Sequence, residues 1–228
     1  MFFRLIFGKE VSMRARVFLL FSFFALTMLG LYSGVGIFSR IQAQTNSVRF
    51  QIDPGQSKFI VKASRGGLLW FKGHSHLIGV KDFSGTVEIT PDLLNPASLQ
   101  MTVRADSLEE TSDEFTPQQK QIIKKELEEI VLETAKYPEM TFKSTDVKGE
   151  MKNGQFEVKI GGDLTLHGVT KKITIPARVS LSGDTLRAQG EFEIDRKNFN
   201  VNATNAFHGL VRVQHGLKFT FDIVAHRV

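Results

Sequence analysis

The sequence predicts an all-β domain: an antiparallel sandwich or barrel of about eight or nine strands with one amphipathic α-helix. Three observations carry this. From Val48 onward, apolar residues return at every second position in segment after segment, which places them on one face of a sheet. Turn-forming residues separate the segments. One stretch alone, after Thr116, changes to helical spacing.

The elements follow in order. Phe59, Val61 and Ala63 alternate with Lys58, Ile60 and Lys62. Phe83, Val87 and Ile89 alternate with Ser84, Thr86 and Glu88, and Leu99, Met101, Val103 and Ala105 with Gln100, Thr102 and Arg104. Met140 and Phe142 continue the pattern. Phe156, Val158, Ile160, Leu164 and Leu166 form one arm of a hairpin, and Ile173, Ile175, Ala177, Val179 and Leu181 the other. Leu186, Ala188, Phe192 and Ile194 come next, and Leu217, Phe219, Phe221, Ile223 and Ala225 close the chain. Breaks are expected at Pro54-Gly55, Pro91 to Pro96, Asn153-Gly154, His167-Gly168 and Gly183-Asp184. Asn-Gly is a favoured two-residue hairpin turn, and Gly168 tolerates the positive φ that a hairpin needs. In the helix, Thr116 is the expected cap and Pro117 the first residue. Ile123, Leu127, Ile130 and Val131 then share a face, and the helix stops before Tyr137-Pro138. Such a helix covers an end or flank of a barrel.

Residues 1–43 differ in kind. Arg4, Lys9, Arg14 and Arg16 precede an uncharged apolar run from Val17 to Phe38. A basic segment followed by an apolar one is the mark of an export signal. The run is also about the ~20 residues that cross a bilayer, so a retained N-terminal anchor is the alternative to a cleaved signal peptide. Ala43 suits a cleavage site, although Ile41 is less favourable there than alanine. Met13, followed at once by Arg14 and Arg16, offers a second possible start. Either reading puts the domain of residues 44–228 outside the cytoplasm, periplasmic or otherwise extracytoplasmic, with membrane contact if the leader stays.

Composition removes several function classes. The formal charge of +5 is concentrated in the leader, whose five basic and one acidic residues leave a net of +1 for the rest. No basic field remains to bind nucleic acid. The chain has no cysteine, which excludes disulfides, thiol nucleophiles and thiolate metal sites. No nucleophile elbow, P-loop, dinucleotide fingerprint or HExxH motif is present, so an enzyme is not expected and no cofactor is implied.

Five elements in order carry a family resemblance. They are Phe50 to Ala63 (FQIDPGQSKFIVKA), Asp82 to Val87 (DFSGTV), and Tyr137-Pro138 with Phe142-Lys143-Ser144. Gly162, Leu164-Thr165, His167-Gly168, Val169 and Thr170 make the fourth; Ile194, Arg196 and Phe199 make the fifth. Together they resemble the YceI-like family of bacterial secreted proteins, from about Phe50 to Val224. The resemblance implies a lipocalin-like antiparallel barrel of about eight strands whose interior holds a long isoprenoid chain. One departure is Gln56 before Ser57, where the family often has histidine. Gly66 to Phe83 looks like a branch with a Gly-His-x-His element.

The inward-facing set is Phe59, Val61, Phe83, Val87, Met101, Phe142, Leu164, Leu166, Phe192, Phe219 and Phe221. It either fills a solid core or lines a ligand cavity, since eight-stranded barrels do both. Gly85, Gly162 and Gly190 either leave room for a ligand or ease bending. The resemblance favours an exported, non-catalytic protein that holds an isoprenoid or other long-chain lipid. Gly66 to Phe71 is a glycine-hinged candidate mouth loop, and its Trp70 either touches ligand or membrane or simply packs. His74 and His76 share a face in an extended segment. They are read as a loop hydrogen-bond pair, as donors to a pyrophosphate head group with Arg196 and Lys72, or as two ligands of a metal. The last makes the alternative function, a metal-binding or metal-dependent periplasmic protein, with a third ligand from His167, His208, His215 or His226. Asp195-Arg196 reads first as a local ion pair and second as a phosphate site.

Overall fold

The computed structural model describes residues 47–67, 69–90, 93–203, 205–206 and 211–228. The expected leader, His208 and the side chain of Trp70 lie outside the described residues. No helix among the described residues is long and apolar enough to cross a membrane.

The alternating segments fold into strands. In chain order these are β1 (Val48–Gly66), β2 (His76–Val80), β3 (Phe83–Thr90), β4 (Leu93–Arg104), β5 (Leu108–Glu110), β6 (Glu139–Lys152), β7 (Gln155–Leu166), β8 (Val169–Ser182), β9 (Thr185–Asp195), β10 (Asn205–Ala206) and β11 (Val211–Arg227). Eight of them, β1, β3, β4, β6, β7, β8, β9 and β11, pair antiparallel in a ring that closes when β11 bonds back to β1. The barrel expectation holds and the sandwich does not.

Closure depends on β1 serving two neighbours on one edge. Its first part, Val48 to Gln51, pairs with β3. Its second part, Ile60 to Ala63, pairs with β2, which in turn carries the short β5. Between them lies a bulge: Asp53 faces Val224 and Lys58 faces Asp222, so extra residues bow out of β1. Pro54, which has no N–H to give a ladder, sits in that bulge. The Asp53 carboxylate accepts from the Gly55 and Gln56 amides at 2.8 and 3.2 Å. The Ser57 hydroxyl accepts the Val224 N–H at 2.9 Å and donates to the Asp53 carbonyl at 2.6 Å. A side chain thus replaces the missing ladder partner. The break expected at Pro54-Gly55 is a bulge inside one strand, and the one expected from Pro91 to Pro96 is shorter, since β4 begins at Leu93.

The hairpins follow their turn residues. Asn153-Gly154 joins β6 to β7 with φ of 50° and 77°, and His167-Gly168 joins β7 to β8 with φ of 51° and 72°. Positive φ at both central positions is the type I′ geometry whose twist matches the strands. These registers define two ends. The ends of β1, β4, β7 and β9 and the starts of β3, β6, β8 and β11 share one, together with the His167-Gly168 turn. The Asn153-Gly154 and Gly183-Asp184 turns mark the other.

Helix α1 (Pro117–Glu126) starts on a capping box. Thr116 Oγ1 accepts from Gln119 N at 3.3 Å, and the Gln119 side chain accepts from Thr116 N at 2.8 Å. The helix then widens into a π turn, Leu127–Val131, closed by Leu132 N to the Leu127 carbonyl at 2.9 Å. The wider turn rotates Ile130 away from Leu127 and Val131. Ile130 is 53% exposed, contrary to the expectation that it shares their face.

Gly85, Gly162 and Gly190 do not open space. A Cβ at Gly162 would stand 2.5 Å from the Phe142 ring and 2.6 Å from the Lys143 carbonyl, and one at Gly190 would strike the Pro176 carbonyl and Phe221. Rings lie across Gly162 and Gly190, while the Gln100 carbonyl and the Ile52 side chain close the space over Gly85. Gly162→Val therefore costs about 1–3 kcal/mol by overpacking. Chemical denaturation is expected to show a lowered midpoint, and an unchanged midpoint would contradict this packing.

Candidate ligand-binding site

The barrel is hollow. A cavity of about 330 Å³ runs through it, within the range of small-molecule sites. Both Phe156, near the start of β7, and Leu166, at its end, line it. At ~3.3 Å per residue that is roughly 33 Å along the strand, or about 25 Å along the axis for a typical tilt. The shape suits a long chain rather than a compact ring system.

Ten of the eleven inward residues line the cavity: Phe59, Val61, Val87, Met101, Phe142, Leu164, Leu166, Phe192, Phe219 and Phe221. Phe83 does not. It is 3% exposed and packs edge-to-face against Phe59 at 6.2 Å, which makes it a support behind the wall. The aromatic lining is continuous across β1, β11 and β9. Phe192 and Phe219 are opposite each other in register and stack with centroids 4.7 Å apart. Phe219 also meets Phe59 at 6.0 Å, and Phe192 meets Phe221 at 6.4 Å. Several of these rings are only half-buried because their free faces look into the cavity. The helix contributes Ile123, Leu127 and Val131, so α1 forms part of the wall.

Polar lining is sparse and unevenly placed. Thr90 and Ser98 lie towards the end opposite the helix. His76, Glu126, Arg196 and Asn202 also line the cavity. Register puts His76 and Arg196 at the helix end. Ala63 of β1 faces His76 on one side and Leu217 on the other, while Gly216 faces Asp195, the residue before Arg196. The backbone turn of Trp70–Lys72 follows β1 at this same end.

His76 and His74 separate in role. The His76 ring stacks flat on Phe115, with centroids 5.2 Å apart, and its Nδ1 is 2.8 Å from Glu110 Oε2. The Glu110 side chain is fully buried, and its Oε1 accepts from the Leu77 and Ser112 amides at 3.1 and 2.8 Å. With Glu110 an acceptor throughout, Nδ1 is the donor in that contact, and His76 also lines the cavity. His74 is exposed, packs edge-on to Phe115, lies 3.5 Å from the Glu114 carboxylate, and does not line the cavity. Each imidazole thus has its own carboxylate on Phe115. No group of three or more His, Asp or Glu able to hold a metal occurs among the described residues.

Arg196 also departs from expectation. Asp195 does not pair with it; its carboxylate caps the 3₁₀ turn Arg196–Phe199 by accepting from Lys197 N at 2.9 Å. The guanidinium instead donates to the carbonyls of Val201 at 2.8 Å and Gln214 at 3.2 Å. Desolvation by burial lowers its pKa, Arg212 adds to that, and Asp195 opposes it. His167 is a turn residue, as expected, but a buried one. Its ring packs 4.3 Å from Tyr137, and Nε2 lies 2.8 Å from Glu133 Oε2 without good hydrogen-bond alignment.

The sequence model of the YceI-like domain matches residues 50–225. The chain belongs to the YceI-like family. It is 39% identical over 136 residues to Protein YceI of Escherichia coli O6:H1, a match covering 57% of this chain and 65% of that protein, just under two thirds of its length. The same fold occurs in the crystal structure of BcnA from Burkholderia cenocepacia, with a TM-score of 0.60, 22% identity, and coverage of 76% of this chain and 98% of that one. It also occurs in a polyisoprenoid binding domain from Saccharophagus degradans implicated in plant cell wall breakdown, with a TM-score of 0.56, 16% identity, and coverage of 78% and 98%. These YceI-like barrels share the architecture described above.

Glu110 was not legible in the sequence, because nothing in Leu108-Glu109-Glu110 marks which carboxylate turns inward. Glu110→Ala strands three donors, His76 Nδ1 and the Leu77 and Ser112 amides. At about 1–3 kcal/mol for buried groups left unpaired, the unfolding temperature falls by roughly 3–10 °C. A Glu110→Ala protein with wild-type thermal unfolding would show that this carboxylate supports nothing.

Proposed function

We propose that this protein binds a long apolar lipid of the polyisoprenoid type inside its barrel and performs no chemistry on it. The single observation that carries this is the elongated, almost wholly apolar cavity running along the barrel. Each methylene withdrawn from water contributes about 0.8 kcal/mol, so a chain of many such groups gains strongly by entering. The Saccharophagus degradans neighbour, described as a polyisoprenoid binding domain, supports the same reading. A binding role without catalysis asks of the site only what it has: a hydrophobic bore with a few polar groups in its lining.

Native mass spectrometry of protein purified from its host is expected to show an added lipid mass, identified after extraction. Ala188 lines the bore on β9, so Ala188→Trp is expected to fill it and reduce lipid binding at least about tenfold while the fold is kept. Lipid-free wild-type protein that also fails to take up a prenyl alcohol in vitro would refute the proposal.

Export is part of the proposal, supported by the basic and then apolar sequence of residues 1–43. Fractionation with a protease-accessibility assay is expected to place the barrel outside the cytoplasm. N-terminal sequencing then separates a chain cleaved near Ala43 from an anchored one. Recovery of the barrel in the cytoplasmic fraction would overturn this part.

A further inference from the structure

The bore meets solvent at the end opposite the helix, and it does so over apolar side chains. Leu181, near the end of β8, lines the cavity and is also 40% exposed. Met151 lies opposite Phe156 in register and so shares its inward face. It stands one residue from the end of β6 and is 62% exposed. Phe156 pairs with Val179, and Leu181 with Leu186, and all four line the cavity. The apolar lining therefore runs out of the barrel across β6 to β9. On the other side of the opening, β3 and β4 contribute the small hydroxyls of Thr90 and Ser98. Exposed apolar residues at the helix end differ, because Phe71, Ile122 and Ile130 do not line the cavity.

We propose that this end of the barrel docks on a lipid bilayer through Met151 and Leu181, and that the ligand passes between bilayer and bore there without crossing water. Three observations select a bilayer as the partner. Basic residues round this end face acids: Arg49 is 4.0 Å from Glu88, Lys152 is 3.5 Å from Glu157, and Arg227 is 3.6 Å from Asp184. Little net field remains to recognise a charged protein. Two exposed apolar side chains are also far fewer than the roughly 20–30 residues a side of a stable protein interface, so a second copy is a poor fit. Finally, β1 begins at this same end, with Val48 facing Ile89, so the chain that follows the apolar run of residues 17–38 enters here. Residues 39–47 let that chain reach at most about 36 Å when extended, so a run retained in a bilayer would hold this end near its surface. The passage of ligand rests on the lipid-binding proposal; the docking does not.

The chain has no cysteine, so one introduced thiol carries one label. Protein purified from its host, with the N-terminus it has there, is labelled with an environment-sensitive dye at Met151→Cys or, on the helix, at Ile130→Cys. Dioleoylphosphatidylcholine vesicles are expected to shift the emission at 151 to the blue, and a nitroxide-labelled phospholipid to quench it, while the dye at 130 stays in water. A dye at 130 that responds as strongly, or one at 151 that does not respond, overturns the docking. A dye at 151 shielded before vesicles are added, with a doubled mass in solution, means that a second copy covers the rim and also overturns it. Ligand passage is read from the transfer of a fluorescent prenyl alcohol out of the same vesicles. Met151 stands beyond the cavity lining, so Met151→Asp is expected to slow transfer at least about tenfold and to leave the equilibrium affinity for the alcohol within about twofold of wild type. Unchanged transfer in Met151→Asp overturns the entry role. If position 151 enters the bilayer but the protein binds no prenyl alcohol, the docking stands, and the lipid-binding proposal falls together with the entry role.

Discussion

The structure depends on the ladder between β1 and β11. Without it the sheet would be an open ribbon with apolar faces that no second layer covers. With it the chain becomes a tube, and its inward residues need only one another. The ladder survives an obstacle in β1, where Pro54 cannot donate and the strand bows out. Ser57 and Asp53 supply acceptors there for the Val224, Gly55 and Gln56 N–H groups. The bulge also lets β1 turn from β3 to β2, freeing the end where α1 and the polar groups gather.

Hollowness follows from ring size and from what lines it. Phe192, Phe219 and Phe59 pack against each other around the wall rather than across the bore. Gly162 and Gly190 let Phe142 and Phe221 lie close to their neighbouring strands. The bulk of the rings is thereby spent along the wall. The same side chains could have filled the centre had the strands at those glycines carried larger residues that pushed the rings inward.

Much of the architecture was legible because it is written in local rules. Alternation marks the long strands, Asn153-Gly154 and His167-Gly168 mark two hairpins, and Thr116-Pro117 marks the start of the helix. The strands that were missed, β2, β5 and β10, are too short for a period of two to stand out. The site was legible in its apolar part for the same reason that the strands were: facing inward and lining the cavity are one property in a hollow barrel. Phe83 shows the limit, since alternation gives the face of a strand but not which inward ring another ring covers. The polar end was only half legible. His76 and Arg196 could be picked out by type, whereas the burial of Glu110, the diversion of His74 to Glu114 and the capping by Asp195 come from contacts far apart in sequence or from the exact set of a turn.

The ring leaves only short strands at the two ends of the hydrogen-bonding order. In hydrogen-bonding order its terminal strands are β5, with three residues, and β10, with two. Each is too short to template a growing ribbon, and β5 also carries the exposed Glu109 beside the inward Glu110. A protein rich in alternating apolar segments would otherwise be a strong candidate for cross-β polymerisation. Here the same closure that makes a container also pairs β1 with β11, so that neither of these long strands is left facing solvent along that edge.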